Sequence, residues 1–260
     1  MIRQDLDKLK LPEVPGVYIW RDSEGKILYI GKATSLRDRV RSYFSPDVIK
    51  TRGAHIVDMV FKAQNVTYQE TMNALEALIL EANLIKKYKP YYNTKEKDDK
   101  SFNCVAITKN PPSAHSGGGG FPMVILVRQK DINTKNKTVK VLRDPKPMKY
   151  DVVFGPYPNG SAIKEALKLL RPIFPFRDMA SSKKDNIIFY RQIGLAPDTS
   201  NTKAQAEYKK TINRLKMIFQ GKFKSLLKDL KKEMMLMAKA EKFEKAGETK
   251  QKVFALEHLQ

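Results

Sequence analysis

The stretch VPGVYIWRDSEGKILYIGKATSLRDRVRSYF (14–44) decides how the first part of the chain folds. VPGVYIW (14–20) and KILYIG (26–31) are rich in β-branched and aromatic residues. RDSEG (21–25) between them has turn chemistry, so the two runs read as an antiparallel hairpin. SLRDRVRSYF (35–44) then reads as a helix: Ser35 can cap its start, and Leu36, Val40 and Tyr43 or Phe44 return at helical spacing. Working outward, HIVDMVFKAQNVTYQ (55–69) predicts a third strand, bent near KAQN. TMNALEALILEANLIKKYK (71–89) predicts a long helix with an apolar stripe of Leu75, Leu78, Ile79, Ala82 and Ile85, stopped by Pro90. The fold class expected for residues 1–97 is a small α/β domain, an antiparallel sheet flanked by helices.

The rest of the chain reads as further modules. KEKDDKS (95–101) is a charged connector. Residues 98–177 predict a small α+β extension with strand-like runs NCVAIT, FPMVILVRQ and KTVKVL. The glycines in NPPSAHSGGGG (110–120) lack the Gly-Lys-Ser/Thr ending of a phosphate loop and read as a mobile hairpin tip. FGPYPNGSAIKEALKLLRPIFPFR (154–177) reads as a turn and then a helix ended by Pro172. Residues 178–206 read as an irregular linker. Residues 207–260 read as helical, with a C-terminal hairpin turning near 240–242. Phe223, Leu227, Leu230, Met234 and Met237 repeat along its first arm, and Phe243, Ala246, Val253 and Leu256 along its second. Helices of this length bury little alone, so their apolar faces require a partner.

The chain has 260 residues, with 49 Lys and Arg against 28 Asp and Glu, a formal net charge of +21. Such an excess favours polyanions and salt-sensitive binding, with nucleic acid the first candidate. The single cysteine, Cys104, excludes an intramolecular disulfide and a cysteine-based zinc site within this sequence. The first residues lack the apolar run of a signal peptide, and no stretch is long and apolar enough to span a membrane. A cytoplasmic location is the expectation.

The polar residues of the first module suggest more than a basic surface. Tyr18 and Tyr29 fall on the two hairpin strands and can face the same side of the sheet, although tyrosine in a strand more often simply packs. Lys32 follows Gly31 at the strand-to-helix junction. Arg39 and Tyr43 are four apart on one helix face, and Arg39 borders the buried stripe about 60° round from Leu36. Arg37 and Arg41 look outward. Glu76 lies beside the apolar stripe of the long helix, where a carboxylate needs a partner. A salt bridge is the plain explanation, and one ligand of a hard divalent cation is the functional one. Asn83, seven residues later, shares its face. Arginine for phosphate, a carboxylate for a metal and a tyrosine for the proton together suit phosphodiester hydrolysis, if a nearby cation lowers the tyrosine pKa.

PGVY (15–18), YIG (29–31) and GKATSLRDRVRSYF together resemble the GIY-YIG nuclease family. ALEALILEANLIKKYKPYYN (74–93), KDDKSF (97–102), the GPYP segment and FEKAGETKQKVFALEHLQ near the end narrow the resemblance to the UvrC family of bacterial excision repair. The resemblance implies a metal-dependent DNA endonuclease that cuts 3′ of a lesion in damaged double-stranded DNA, using one Mg²⁺ or Mn²⁺ ion. It implies Tyr29 as general base, or as the group that orients and activates the attacking water. Lys32 would be its electrostatic partner, Arg39 a stabiliser of phosphate charge, Tyr18 and Tyr43 hydroxyl donors, and Glu76 the metal anchor. Asn83 is a supporting residue, and Gly16 and Gly31 are structural. The last piece is similar to a UVR motif, which implies a UvrB-binding hairpin, with UvrA in the wider system.

The sequence also departs from that family. Its members carry a cysteine cluster ahead of the final hairpin, and MASSKKDNIIFYRQIGLAPDTS (179–200) has none. The family's second nuclease domain and terminal DNA-binding module are not in this sequence, which suggests a fragment or a short form. The glycine-rich link is longer than usual. Two rivals stay open: a scaffold with an idle site, and a free-standing GIY-YIG nuclease.

Overall fold

The computed structural model describes residues 10–45, 52–94, 102–109, 121–141, 146–181, 186–198 and 201–259. The charged connector and the glycine-rich link lie outside the described residues. The chain is mixed α/β and divides into two compact units, residues 1–100 with 257–260, and residues 101–256.

In the first unit, β1 (Gly16–Arg21) pairs antiparallel with β2 (Ile27–Ala33) on one side and β3 (Asn65–Glu70) on the other, in the order β2-β1-β3. The β1–β2 register sets Tyr18 opposite Gly31 and Trp20 opposite Tyr29. Strand side chains alternate between faces, so these four positions share one face of the sheet. That face packs with α1 (Leu36–Arg41) and α2 (Ala54–Lys62) into a core of Tyr18, Trp20, Leu36, Val40, Tyr43, Ile56 and Met59. Ser35 caps α1 by accepting from the Asp38 amide, and a 3₁₀ turn over Ser42–Phe44 follows. The opposite face carries Val17, Ile19 and Ile30 against Ala77, Leu80 and Leu84 of α3 (Ala74–Tyr88). Burying each such large aliphatic side chain contributes about 1.5–3 kcal/mol.

One expectation changes here. The strand foreseen across 55–69 is a helix over Ala54–Lys62 followed by the strand Asn65–Glu70. The β-branched residues Ile56, Val57 and Val60 argue for strand, but Ile56 and Met59 are three apart and both buried, and that helical stripe prevails. The long helix starts after Asn73, whose side chain accepts from the Glu76 amide. It ends at Lys89 in a left-handed conformation just before Pro90. A short helix, α4 (Tyr91–Thr94), follows.

In the second unit the strands β4 (Asn103–Thr108), β5 (Val124–Arg128), β6 (Ile132–Asn133), β7 (Thr138–Val139) and β8 (Met148–Tyr157) run in the order β5-β4-β8-β7-β6. The segment foreseen as a turn at FGPY is the end of β8. α5 (Gly160–Ile173) is capped by Asn159 and keeps Pro172 inside its last turn. The stretch foreseen as an irregular linker contains α6 (Asn186–Gln192), with Ile187 buried. α7 (Thr202–Phe219) begins in its last residues. α8 (Phe223–Lys239) and α9 (Phe243–Glu257) turn at 240–242, as the sequence predicts. Among the described residues no helix is long and apolar enough to cross a membrane.

Candidate active site

The site forms where β2 meets the start of α1. Gly31 gives Tyr18 room. An added Cβ would fall inside the Tyr18 phenol, closer than van der Waals contact to its hydroxyl and Cζ. Gly16 is similarly pinned, with such a Cβ 2.5 Å from the Gln69 carbonyl oxygen and 2.7 Å from Leu36. Over Gly31 the Tyr18 ring meets those of Tyr29 and Tyr43, with centroids 6.3 and 5.8 Å away, and Tyr29 and Tyr43 are 6.4 Å apart. The Tyr18 and Tyr43 hydroxyls share a hydrogen bond of 2.7 Å. Arg39 closes the group by donating from Nε to the Tyr18 hydroxyl at 3.3 Å. Arg37, read as outward charge, pairs with Glu13.

β2 is an edge strand, and its outward backbone groups need partners. Two side chains supply them. Asn93 accepts from the Ile30 amide and donates to the Ile30 carbonyl, each at 2.8 Å. Glu81 of α3 accepts from the Lys32 amide at 2.8 Å through Oε1 and is only 9% exposed. A carboxylate and an amide side chain thus continue the sheet where a fourth strand would lie, and this brings Glu81 close enough to act on Tyr29.

Glu76 lies elsewhere. Its Oε2 accepts from the Met72 amide at 2.8 Å, while its own amide bonds the Asn73 side chain at 2.9 Å. It is half of a capping arrangement at the start of α3. Five residues separate Glu76 from Glu81, so they point about 140° apart round the helix. Asn83, expected as a supporting residue, is about 160° round from Glu81 and is half-buried. The asparagine that reaches the site is Asn93.

The lowering of the Tyr29 pKa that a nearby cation would bring is opposed by its protein surroundings. Burial, then the neighbouring Tyr18 and the Glu81 carboxylate, raise it well above the ordinary phenol value, against the opposing influence of Tyr43 and Arg39. Burial raises Tyr43 as well, followed by Tyr18 and Tyr29. Both shifts favour the protonated phenol. The Lys32 backbone is fixed by Glu81, and its side chain has no ion pair among the described residues.

Replacing Asn93 with alanine should cost about 1–3 kcal/mol, because the buried Ile30 amide and carbonyl lose their partners. A denaturant midpoint measured on purified protein checks this, and an unchanged midpoint would refute the edge-capping role.

The described residues contain no group of three or more His, Cys, Asp or Glu arranged to hold a metal. Glu81, whose carboxylate acts electrostatically on Tyr29, suits the sparse oxygen set that Mg²⁺ accepts while retaining water.

Residues 14–94 match the family model of the UvrC-like GIY-YIG domain. The chain is 36% identical over 266 residues to the UvrABC system protein C of Caldanaerobacter subterraneus subsp. tengcongensis, covering 97% of this chain and 38% of that protein. It is 36% identical over 262 residues to the UvrABC system protein C of Carboxydothermus hydrogenoformans, with the same coverage of 97% and 38%. A crystal structure of the GIY-YIG N-terminal endonuclease domain of UvrC from Thermotoga maritima, bound to magnesium, is 42% identical, covering 35% of this chain and 98% of that one, with a TM-score of 0.31. The chain thus spans less than two-fifths of the length of the curated relatives it matches.

Proposed function

The chain belongs to the UvrC family, and on that premise we propose that residues 14–94 form a metal-dependent DNA endonuclease acting within the UvrABC excision system. It hydrolyses one phosphodiester on the 3′ side of a lesion in damaged double-stranded DNA. The observation that carries this reading is the cluster of three tyrosines and Arg39 over Gly31, with the buried Glu81 bonded to the next residue of β2 and close enough to act on Tyr29.

The roles follow from that geometry. Glu81, in place of Glu76, would hold one Mg²⁺ or Mn²⁺ ion. When bound, such an ion offsets charge on the phosphate oxygens. Arg39 stabilises negative charge developing on the scissile phosphate, with its guanidinium oriented by the Tyr18 hydroxyl. Tyr29 orients the attacking water through its hydroxyl. Tyr18 and Tyr43 share one hydrogen bond and hold each other's rotamers. Lys32, half-buried beside Gly31, meets a phosphate oxygen.

The α8–α9 hairpin supports the partner reading. Met235, Leu236, Phe243 and Phe254 are each more than half exposed, apolar side chains available to a UvrB partner.

The test is a nicking assay on a lesion-bearing duplex preloaded with UvrA and UvrB. The expected result is a single nick 3′ of the lesion that requires Mg²⁺ or Mn²⁺ and is lost in chelator. No nick with both partners present would favour a scaffold with an idle site, and efficient nicking of undamaged DNA without partners would favour a free-standing nuclease.

A further inference from the structure

We propose that Arg52 is a second phosphate-binding arginine of this site, stacked on the Tyr43 ring that Arg39 also approaches and taking a backbone phosphate next to the scissile one. The proposal rests on the reading of the site as a DNA nuclease.

The Arg52 guanidinium lies over the Tyr43 ring, 4.2 Å from its centre, while that of Arg39 lies 5.9 Å from the same centre. One nitrogen, Nη2, donates to the Ser42 hydroxyl at 2.7 Å. That hydroxyl spends its own proton on the Arg39 carbonyl at 2.6 Å, so it is free to accept. Arg52 is therefore held twice, by stacking and by one hydrogen bond. Stacking leaves the in-plane N–H edge of a guanidinium open, which is the edge that forks onto phosphate. Among the described residues its Nε and Nη1 have no hydrogen-bond partner, and no carboxylate neutralises it. A half-buried, pre-oriented cation with no counter-charge among the described residues, beside a nuclease site, fits a polyanionic backbone. Arg39 likewise has no carboxylate partner among the described residues, so two ordered guanidiniums lie against one tyrosine ring.

The experiment measures binding of the whole chain to a short fluorescent duplex in chelator, across 50–200 mM salt. Losing one phosphate contact should lower the slope of log affinity against log salt by about 0.9. Arg52→Gln should show that loss, and Arg52→Lys, which keeps the charge, should retain the wild-type slope. Melting curves confirm that both variants fold. A wild-type slope in Arg52→Gln overturns the proposal and leaves the nuclease reading standing. Absence of salt-dependent DNA binding by the wild type overturns the nuclease reading itself.

Discussion

Exchanging Glu81 for glutamine should reduce metal-dependent strand cleavage by about 10²–10³-fold, the size of loss when one preorganised charge-stabilising group is removed. Glutamine keeps an oxygen that can accept from the Lys32 amide, so the edge of β2 stays capped and the fold is preserved. What disappears is the negative charge needed to hold a hard cation. DNA binding should persist, because phosphate contacts come from cations elsewhere on the domain. Glu76→Gln is the matched control. It also retains its acceptor to the Met72 amide, and cleavage should stay at the wild-type rate. Single-turnover nicking on partner-loaded duplex, with magnesium titrated, separates the two. Wild-type cleavage in Glu81→Gln together with its loss in Glu76→Gln would return the metal to Glu76.

That pair of glutamates illustrates what could be read from the sequence. The hairpin was legible because RDSEG separates two strand-like runs, and α3 was legible because its stripe repeats at threes and fours. Those are local signals. The sequence also carries two signals that separate Glu76 from Glu81. Asn73 followed three residues later by Glu76 is the pattern of a helix cap, which accounts for Glu76 without a ligand. Glu81 stands between Leu80 and Ala82 in the middle of the helix, where a carboxylate is costly unless something engages it. Asn93 had no such signal. Its role exists only because β2 is an edge strand, a fact of topology that local sequence does not encode. The raised Tyr29 pKa is of the same kind, since it depends on how deeply three tyrosines bury one another. The helix at Ala54–Lys62 was hidden by its β-branched residues, whose strand preference yields to burial against the sheet.

The second large effect is expected at a residue with no side chain. Gly31→Ala should cost about 1–3 kcal/mol of stability, as overpacking of a filled core does, and should lower cleavage by at least about 10²-fold. The added methyl meets the Tyr18 phenol, including Cε2 at 2.9 Å. Tyr18 is 0% exposed and has nowhere to retreat, since the Tyr43 ring is edge-on beside it. Relief requires moving the Tyr18 ring, which breaks its 2.7 Å bond to Tyr43 and withdraws the acceptor that orients Arg39. A displacement of about 1 Å in such a group is enough for the activity loss. Gly25→Ala supplies the comparison. Gly25 has φ of 79° in the β1–β2 turn and nothing within 4 Å of an added Cβ, so alanine there strains the backbone by about 1–2 kcal/mol without touching the site. The two variants should therefore lose similar stability in denaturant titrations while only Gly31→Ala loses cleavage. Parallel activity losses in both would mean that global destabilisation, and not the placement of Tyr18, limits the reaction. Full activity in Gly31→Ala would mean that the tyrosine cluster tolerates a shifted ring and that Arg39 does not depend on the Tyr18 hydroxyl for its position.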